Sequence, residues 1–531
     1  MKRSFAFAFV PLAILVACSS SSDDGGGSSS SSGNPEAGTP KPPKYPPSTL
    51  PPLGEAKTTA ERTYSPKHAS QPYTAGPNPS QPEALASYLK DGFGDLQEGA
   101  GLTAAVIVID GTTAPPPGPN AKRLLRFVSL ADLQLADDES PTRLGLYDSA
   151  GSTSSALRPQ DAYLCHMANA AVRTINALHK KEPIAFTLMG GDNADSAQEN
   201  EYDWVLGILS GSPNVECDSG DDNDLIPGGG NDGKDPFVAE GLAMPWKWVT
   251  GNHDVLIQGN LMIEDANKQA VLSTSANGGT RDYTQGGAIA NGDFVVADPK
   301  RRLLGRQDMI SKVMADKDGH GLTEKEKASG MATYTFDTDG NFRFLVIDTA
   351  HERGGADGVI TQREIDRVIK PALDKAKTDG KWVILASHHA NGSITTDGGA
   401  FGKPEPDALD KDAWATFVGK YDNVLFSMVG HSHENRVRIV KPTQGHAYWE
   451  VMTAAIADYP HQFRINEIFD QDNGWLMMRA VPVDISVEGD AIAEEGRRRG
   501  VVDVVTGWNP NDGTGKPTDR LVEIWIKKPT Q

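Results

Sequence analysis

Positive charge is what this 531-residue chain lacks most. Its 51 Lys and Arg face 71 Asp and Glu, giving a formal charge of −20 and a pI near 5.0. That balance argues against a general nucleic-acid or anionic-membrane binder. An acidic enzyme can still act on anionic substrates where metal cations invert the sign locally. Long apolar runs are also missing: beyond the first residues no stretch is apolar and long enough for a membrane-spanning helix. There is no internal repeat of the 20–50-residue kind. Cysteine is scarce, with three in the chain. The length allows one large core or two ordinary ones.

What is present begins with Met1-Lys2-Arg3 and an apolar run over 5–17, which read as a signal peptide (1–17). Leu15-Val16-Ala17-Cys18 resembles the lipobox of a bacterial lipoprotein. That resemblance implies a lipid on Cys18, membrane contact through the lipid alone, and a place in the bacterial cell envelope. An uncleaved anchor or an ordinary cleavage site are the alternatives. Residues 18–75 are rich in Ser, Gly and Pro, too poor in apolar surface to fold, and are expected to be a disordered tether. In an oxidising envelope compartment, Cys165 and Cys217 suggest a disulfide. Two separate buried thiols are the alternative.

A main domain is expected over 76–485, with insertions at 207–244 and 255–330, then a C-terminal extension (486–531) carrying a terminal strand. Strand-length apolar runs end in polar turns at five places. Residues 124–130 run into Asp132-Leu133-Gln134, and 185–189 into Gly190-Gly191-Asp192-Asn193-Ala194-Asp195. Residues 245–250 run into Gly251-Asn252-His253-Asp254, 381–387 into His388-His389, and 424–429 into Gly430-His431-Ser432-His433. A helical face over 160–180 separates the first two strands, a pattern implying parallel pairing. A helix is expected over 361–377, kinked at Pro371. The later runs 448–453, 464–469, 475–481 and 521–526 suggest a second sheet packed on the first.

Open α/β sheets place their chemistry at the carboxyl ends of strands. The donors gathered there are carboxylates, amides and imidazoles without a thiolate, a set suiting Mn, Zn or Fe. The ordered set of motifs, from Asp132 through Gly430-His431-Ser432-His433, resembles the calcineurin-like metallophosphoesterases over roughly 124–485. The resemblance implies an α/β fold of two packed mixed β-sheets flanked by helices. It also implies two metal ions and hydrolysis of phosphate esters by a metal-bridging hydroxide. One metal would take Asp132, Asp192 and His433; the other Asp192, Asn252, His388 and His431. His253 would act on the phosphoryl group or the leaving oxygen, with Asp254 orienting it, and Asn193 and Asp195 would stand behind the ligands. Gln134 occupies a position where most members have His, which bears on the identity of the first metal.

Plain turn residues are the bland reading of any one motif; five in this order favour the metal site. His389 is expected to be structural. Asp316-Lys317-Asp318-Gly319-His320-Gly321 resembles the start of a calcium loop but has Lys327 at its twelfth position, so a surface turn is expected. The segment 458–462 stands where it could line a substrate site, with His461 expected at the surface. A surface lipoprotein that keeps this fold as an interaction module, with a weakened metal site, is the other functional reading.

Overall fold

The computed structural model describes residues 44–220, 226, 228–276 and 293–529. The signal-like N-terminus and Cys18 lie outside these residues.

Two mixed sheets form the body. The seven-stranded sheet uses β1 (Ala105–Val108), β2 (Lys122–Leu130), β3 (Thr187–Met189) and β4 (Trp246–Lys247). The six-stranded sheet uses β5 (Tyr334–Asp337), β6 (Phe342–Val346), β7 (Trp382–Ala386), β8 (Val424–Val429), β9 (Arg436–Val440) and β10 (Tyr448–Met452). The chain then returns to the first sheet with β11 (Gln462–Asp470), β12 (Trp475–Asp484) and β13 (Val522–Lys527). The strand orders are β1-β13-β12-β11-β2-β3-β4 and β9-β10-β8-β7-β6-β5. In the first, β2, β3 and β4 are parallel; in the second, β6, β7, β8 and β10 are parallel. Continuous apolar runs such as Trp-Val-Ile-Leu-Ala in β7 suit these positions, because a central parallel strand is buried on both faces.

One expectation about the sheets is corrected here. The five motif strands do not share a sheet: β2, β3 and β4 lie in one, β7 and β8 in the other. Three of the four late runs complete the first sheet rather than forming a second. The sheets meet through stacked and edge-on rings, with Phe127 of β2 5.4 Å from Phe344 of β6 and Phe186 5.3 Å from Phe336 of β5. On the outer face of the six-stranded sheet, Ile365, Ile369, Leu373, Trp414 and Phe417 pack against Leu345, Val383, Leu385 and Val424. The helix over 362–378 opens into one wide π turn at Ile365–Ile369 just before Pro371. Proline has no N–H, and its ring clashes with the carbonyl four residues back, so the ladder widens there.

The chain's ends depart from the expected domain plan. Residues 44–75 are docked rather than free. Ser48 N–H donates to Pro236 O at 2.9 Å, Ala56 joins the core, and Arg62–Pro66 pairs with Leu96–Ala100. A segment too polar to fold alone can still order on an existing surface. Residues 486–529 are not an appendage either. β13 is inserted between β1 and β12, and the helix Ala491–Val505 packs on Leu164–Lys181. Cys165 of that second helix is disulfide-bonded to Cys217, S–S 1.93 Å, fastening the loop after Glu199–Ser210. Among the described residues no helix is long and apolar enough to cross a membrane.

Candidate metal centre

Each motif lies just past a parallel strand, and the packing of the two sheets brings the five strand ends together. The turns are sharp. Asp132, Gln134, Asp192, His431 and His433 all adopt left-handed backbone angles, with φ of 54°, 42°, 52°, 79° and 52°. Such angles are costly for residues with a side chain and concentrate at functional sites. Gly251 has a different reason: a Cβ there would stand 2.1 Å from Asp192 Oδ1, so only glycine lets the Asn252 turn approach.

Ligand atoms of Asp132, Asp192 and His388 lie within 4.8 Å of one another. His388 Nε2 is 3.0 Å from Asp192 Oδ2 yet too poorly aligned to hydrogen-bond it, while Nδ1 donates to Gly190 O at 2.8 Å. His433 Nε2 is 3.4 Å from Asp132 Oδ1. His431 donates its backbone N–H to Asp132 at 3.2 Å, and its ring lies 5.2 Å from that of His388. Gln134 Nε2 donates to Asp192 Oδ2 at 3.3 Å, and Asn252 Nδ2 donates to Gly259 O at 2.9 Å. The other end of each amide, Gln134 Oε1 and Asn252 Oδ1, is buried with no hydrogen-bond partner. A buried oxygen with no donor is costly, and oxygen of this kind suits a metal cation. The set therefore fits the implied ions: hard carboxylate and amide oxygens from one sheet, imidazole nitrogens from the other.

The electrostatics agree with the fit. Burial raises the Asp192 carboxyl, but His388 and His253 outweigh it and hold the group well below the usual range. Burial depresses His388, yet Asp192 lifts it to about 9; His433 is lifted to about 10 by Asp132 and Asp458 against the same burial. His431 is pushed well down by burial and by His389 and His388 beside it. The acids thus favour a cation between the imidazoles, proton or metal, so metal uptake is expected to release protons.

Around this cluster the sequence-based assignments separate. Gly259 presses on His253, where a Cβ would stand 2.2 Å from the ring Cδ2. The His253 ring is tied by Nδ1–H to Asp195 O at 2.8 Å, with Asp195 Oδ1 at 3.2 Å, leaving Nε2 3.9 Å from Asp192 Oδ2. Burial lowers His253, but Asp192 and Asp195 bring a net rise. The orienting role expected of Asp254 is corrected. Its carboxylate instead accepts from the backbone N–H groups of Gly251, Asn193 and Ala194 and from Asn193 Nδ2, at 2.8 to 3.1 Å. Asp254 is a buried clamp between two motif turns, and burial and Asp192 push it up to about 7. Asn193 braces that clamp through Val249 O and Asp254. Asp195 is the residue beside His253.

His389 lies within 4.8 Å of candidate ligand atoms of His388 and His431, but both its nitrogens are engaged: Nδ1 meets Thr349 Oγ1 at 2.7 Å and Nε2 meets Ala356 O at 2.9 Å. His461 is fully buried rather than at the surface, its Nδ1–H donating to Ile456 O at 2.8 Å. The turn at Asp316 needs no calcium to explain it, since Asp316 and Asp318 both bond His320, which stacks on Trp246 with ring centres 3.3 Å apart. Asp458, expected only as part of a segment lining a substrate site, sits 2.5 Å from His433 Nδ1 and orients that ring. The histidine three residues later drew attention instead. A carboxylate following a strand is the same signal that marked Asp132.

No family model matches the sequence, and no curated protein does. Among solved structures the chain is similar to a dimetal phosphatase from Danio rerio, at 12% identity and TM-score 0.38, covering 69% of this chain and 100% of that one. It is also similar to a purple acid phosphatase from yellow lupin seeds, at 14% identity and TM-score 0.31, covering 69% and 52%. A sulfate thiohydrolase from Thermus thermophilus follows, at 12% identity and TM-score 0.28, covering 75% and 62%. All three TM-scores are below 0.5.

Proposed function

We propose that this protein is a metal-dependent hydrolase of phosphate esters, a calcineurin-like metallophosphoesterase acting on a mono- or diester. The observation that carries the reading is the convergence of Asp132, Asp192 and His388 from two different sheets, with His253 beside them and bonded away from them. Two ions (Mn, Zn or Fe) held there, by Asp132, Gln134, Asp192 and His433 and by Asp192, Asn252, His388 and His431, would acidify water and neutralise phosphoryl oxygens that an acidic protein repels.

The chain's own residues supply the rest. Asp195 O fixes the His253 Nδ1–H and so the ring plane, leaving Nε2 for a proton or hydrogen bond to a phosphoryl or leaving oxygen. Gly190 O holds the His388 ring so that Nε2 faces Asp192, and Asp458 does the same for His433 toward Asp132. Such outer contacts fix tautomer and orientation. His253 is the feature that favours an enzyme over an interaction module, since a module would keep ligands without needing it. A bacterial cell-envelope location, with a lipid on Cys18, belongs to the same proposal and is supported by the N-terminal sequence.

The test is hydrolysis of a chromogenic phosphomonoester and phosphodiester with Mn, Zn or Fe supplied. Wild type should turn over one of them, and His253→Ala should lower kcat by about 10²- to 10⁴-fold. Equal activity in wild type and His253→Ala would overturn the reading.

A further inference from the structure

The two carboxylates behind the site meet one buried network of arginines and Asp161. Asp195 holds His253 through its backbone O, with its carboxylate Oδ1 3.2 Å from the same Nδ1, and the Asp458 carboxylate holds His433. Between them runs a line of buried charge. Arg143 Nη1 donates to Asp195 Oδ2 at 3.1 Å, and its other terminal nitrogen donates to Asp161. Asp161 Oδ2 also accepts the Arg158 backbone N–H at 3.0 Å, with Arg158 Nη1 3.9 Å from Oδ1. Arg158 Nε then donates to Asp458 Oδ1 at 2.9 Å. The side chains of these five residues are 6% exposed or less. The segment 131–163, which follows the Asp132 strand, supplies both arginines and Asp161.

Three carboxylates and two guanidiniums held out of water carry a heavy desolvation cost, and apolar packing is often as stable as such a network. What apolar packing lacks is direction. The Arg143 guanidinium holds two carboxylates at fixed angles, which a lysine cannot reproduce, while that of Arg158 is aimed at Asp458. Neither arginine is among the ligand residues.

We propose that Arg143 and Arg158, both meeting Asp161, are positioning residues: Arg143 for His253 through Asp195, and Arg158 for His433 through Asp458. Asp161 is the shared joint. The proposal rests on the proposed function: its His253 half on the phosphoester chemistry, its His433 half on the metal site alone.

The test uses the full chain, with Mn²⁺ affinity measured by titration calorimetry and phosphodiester kinetics at saturating Mn²⁺. Arg158→Lys should weaken Mn²⁺ binding about 10- to 100-fold, the usual effect of losing a group that orients a ligand, with kcat kept at saturation. Arg143→Lys should leave Mn²⁺ binding unchanged and lower kcat without raising KM. Asp161→Asn should show both losses. Should Asp161→Asn fail to fold, the two Arg→Lys variants decide the question. Folded variants with wild-type Mn²⁺ affinity and kcat, altered only in Tm, would overturn the proposal. If wild type cleaves no phosphoester, the functional reading fails separately, and the Mn²⁺ contrast between Arg158→Lys and Arg143→Lys still tests the positioning of His433.

Discussion

The seven-stranded sheet brings carboxylates and amides to the site, whereas the six-stranded sheet brings imidazoles. Neither half is a complete ligand set, and each is braced by the other. His388 of the second sheet leans on Gly190 O of the first, and the His431 backbone leans on Asp132. Among the described residues the chain returns from the second sheet to the first through the segment 453–461, between β10 and β11. Ile456 and Ala457 of that segment donate to Asp132 O, and it carries Asp458. The difference between the sheets shows where the geometry is decided: at the aromatic seam and at this strap, not within either sheet.

Breaking the seam should have the larger effect. Phe344→Ala removes a fully buried ring that meets Phe127, Phe186 and Phe336. A loss of about 3–5 kcal/mol is expected, read from denaturant unfolding. Loosening the strap should cost less. Burial depresses His461 from 6.5 to about 4, so the folded protein keeps it neutral while the unfolded chain takes up a proton below 6.5. Stability from this group is therefore full above pH 6.5 and falls as pH drops toward about 4, at about 1.4 kcal/mol per unit. His461→Gln should flatten that part of the pH–stability curve, and an unchanged slope would show that His461 is not its source.

The ligand turns were legible because each pairs an apolar strand with a polar, Gly-marked end, a local pattern. Their division between two sheets was not, since strand pairing is long-range and β11 to β13 resemble any edge run. Trp248 shows a smaller failure of the same kind. It reads as strand, yet its N–H goes to His320 O of the 255–330 insertion rather than to a neighbouring strand. Asp254 was misread because sequence adjacency to His253 suggested contact. The turn sends its carboxylate instead to the backbone of the Asp192 motif. Residues 44–75 read as a tether because composition reports what a segment can do alone, not what it can dock upon. Arg143, Asp161 and Arg158 carry no local pattern at all; only the fold lines them up.

The proposed two-metal centre needs both sheets, with Asp192 at its middle. Metal content of the purified chain, measured by elemental analysis after Mn, Zn or Fe is supplied, tests it most directly. Two ions per chain are predicted for wild type and fewer than one for Asp192→Asn. Wild type holding none, or Asp192→Asn still holding two, would contradict it.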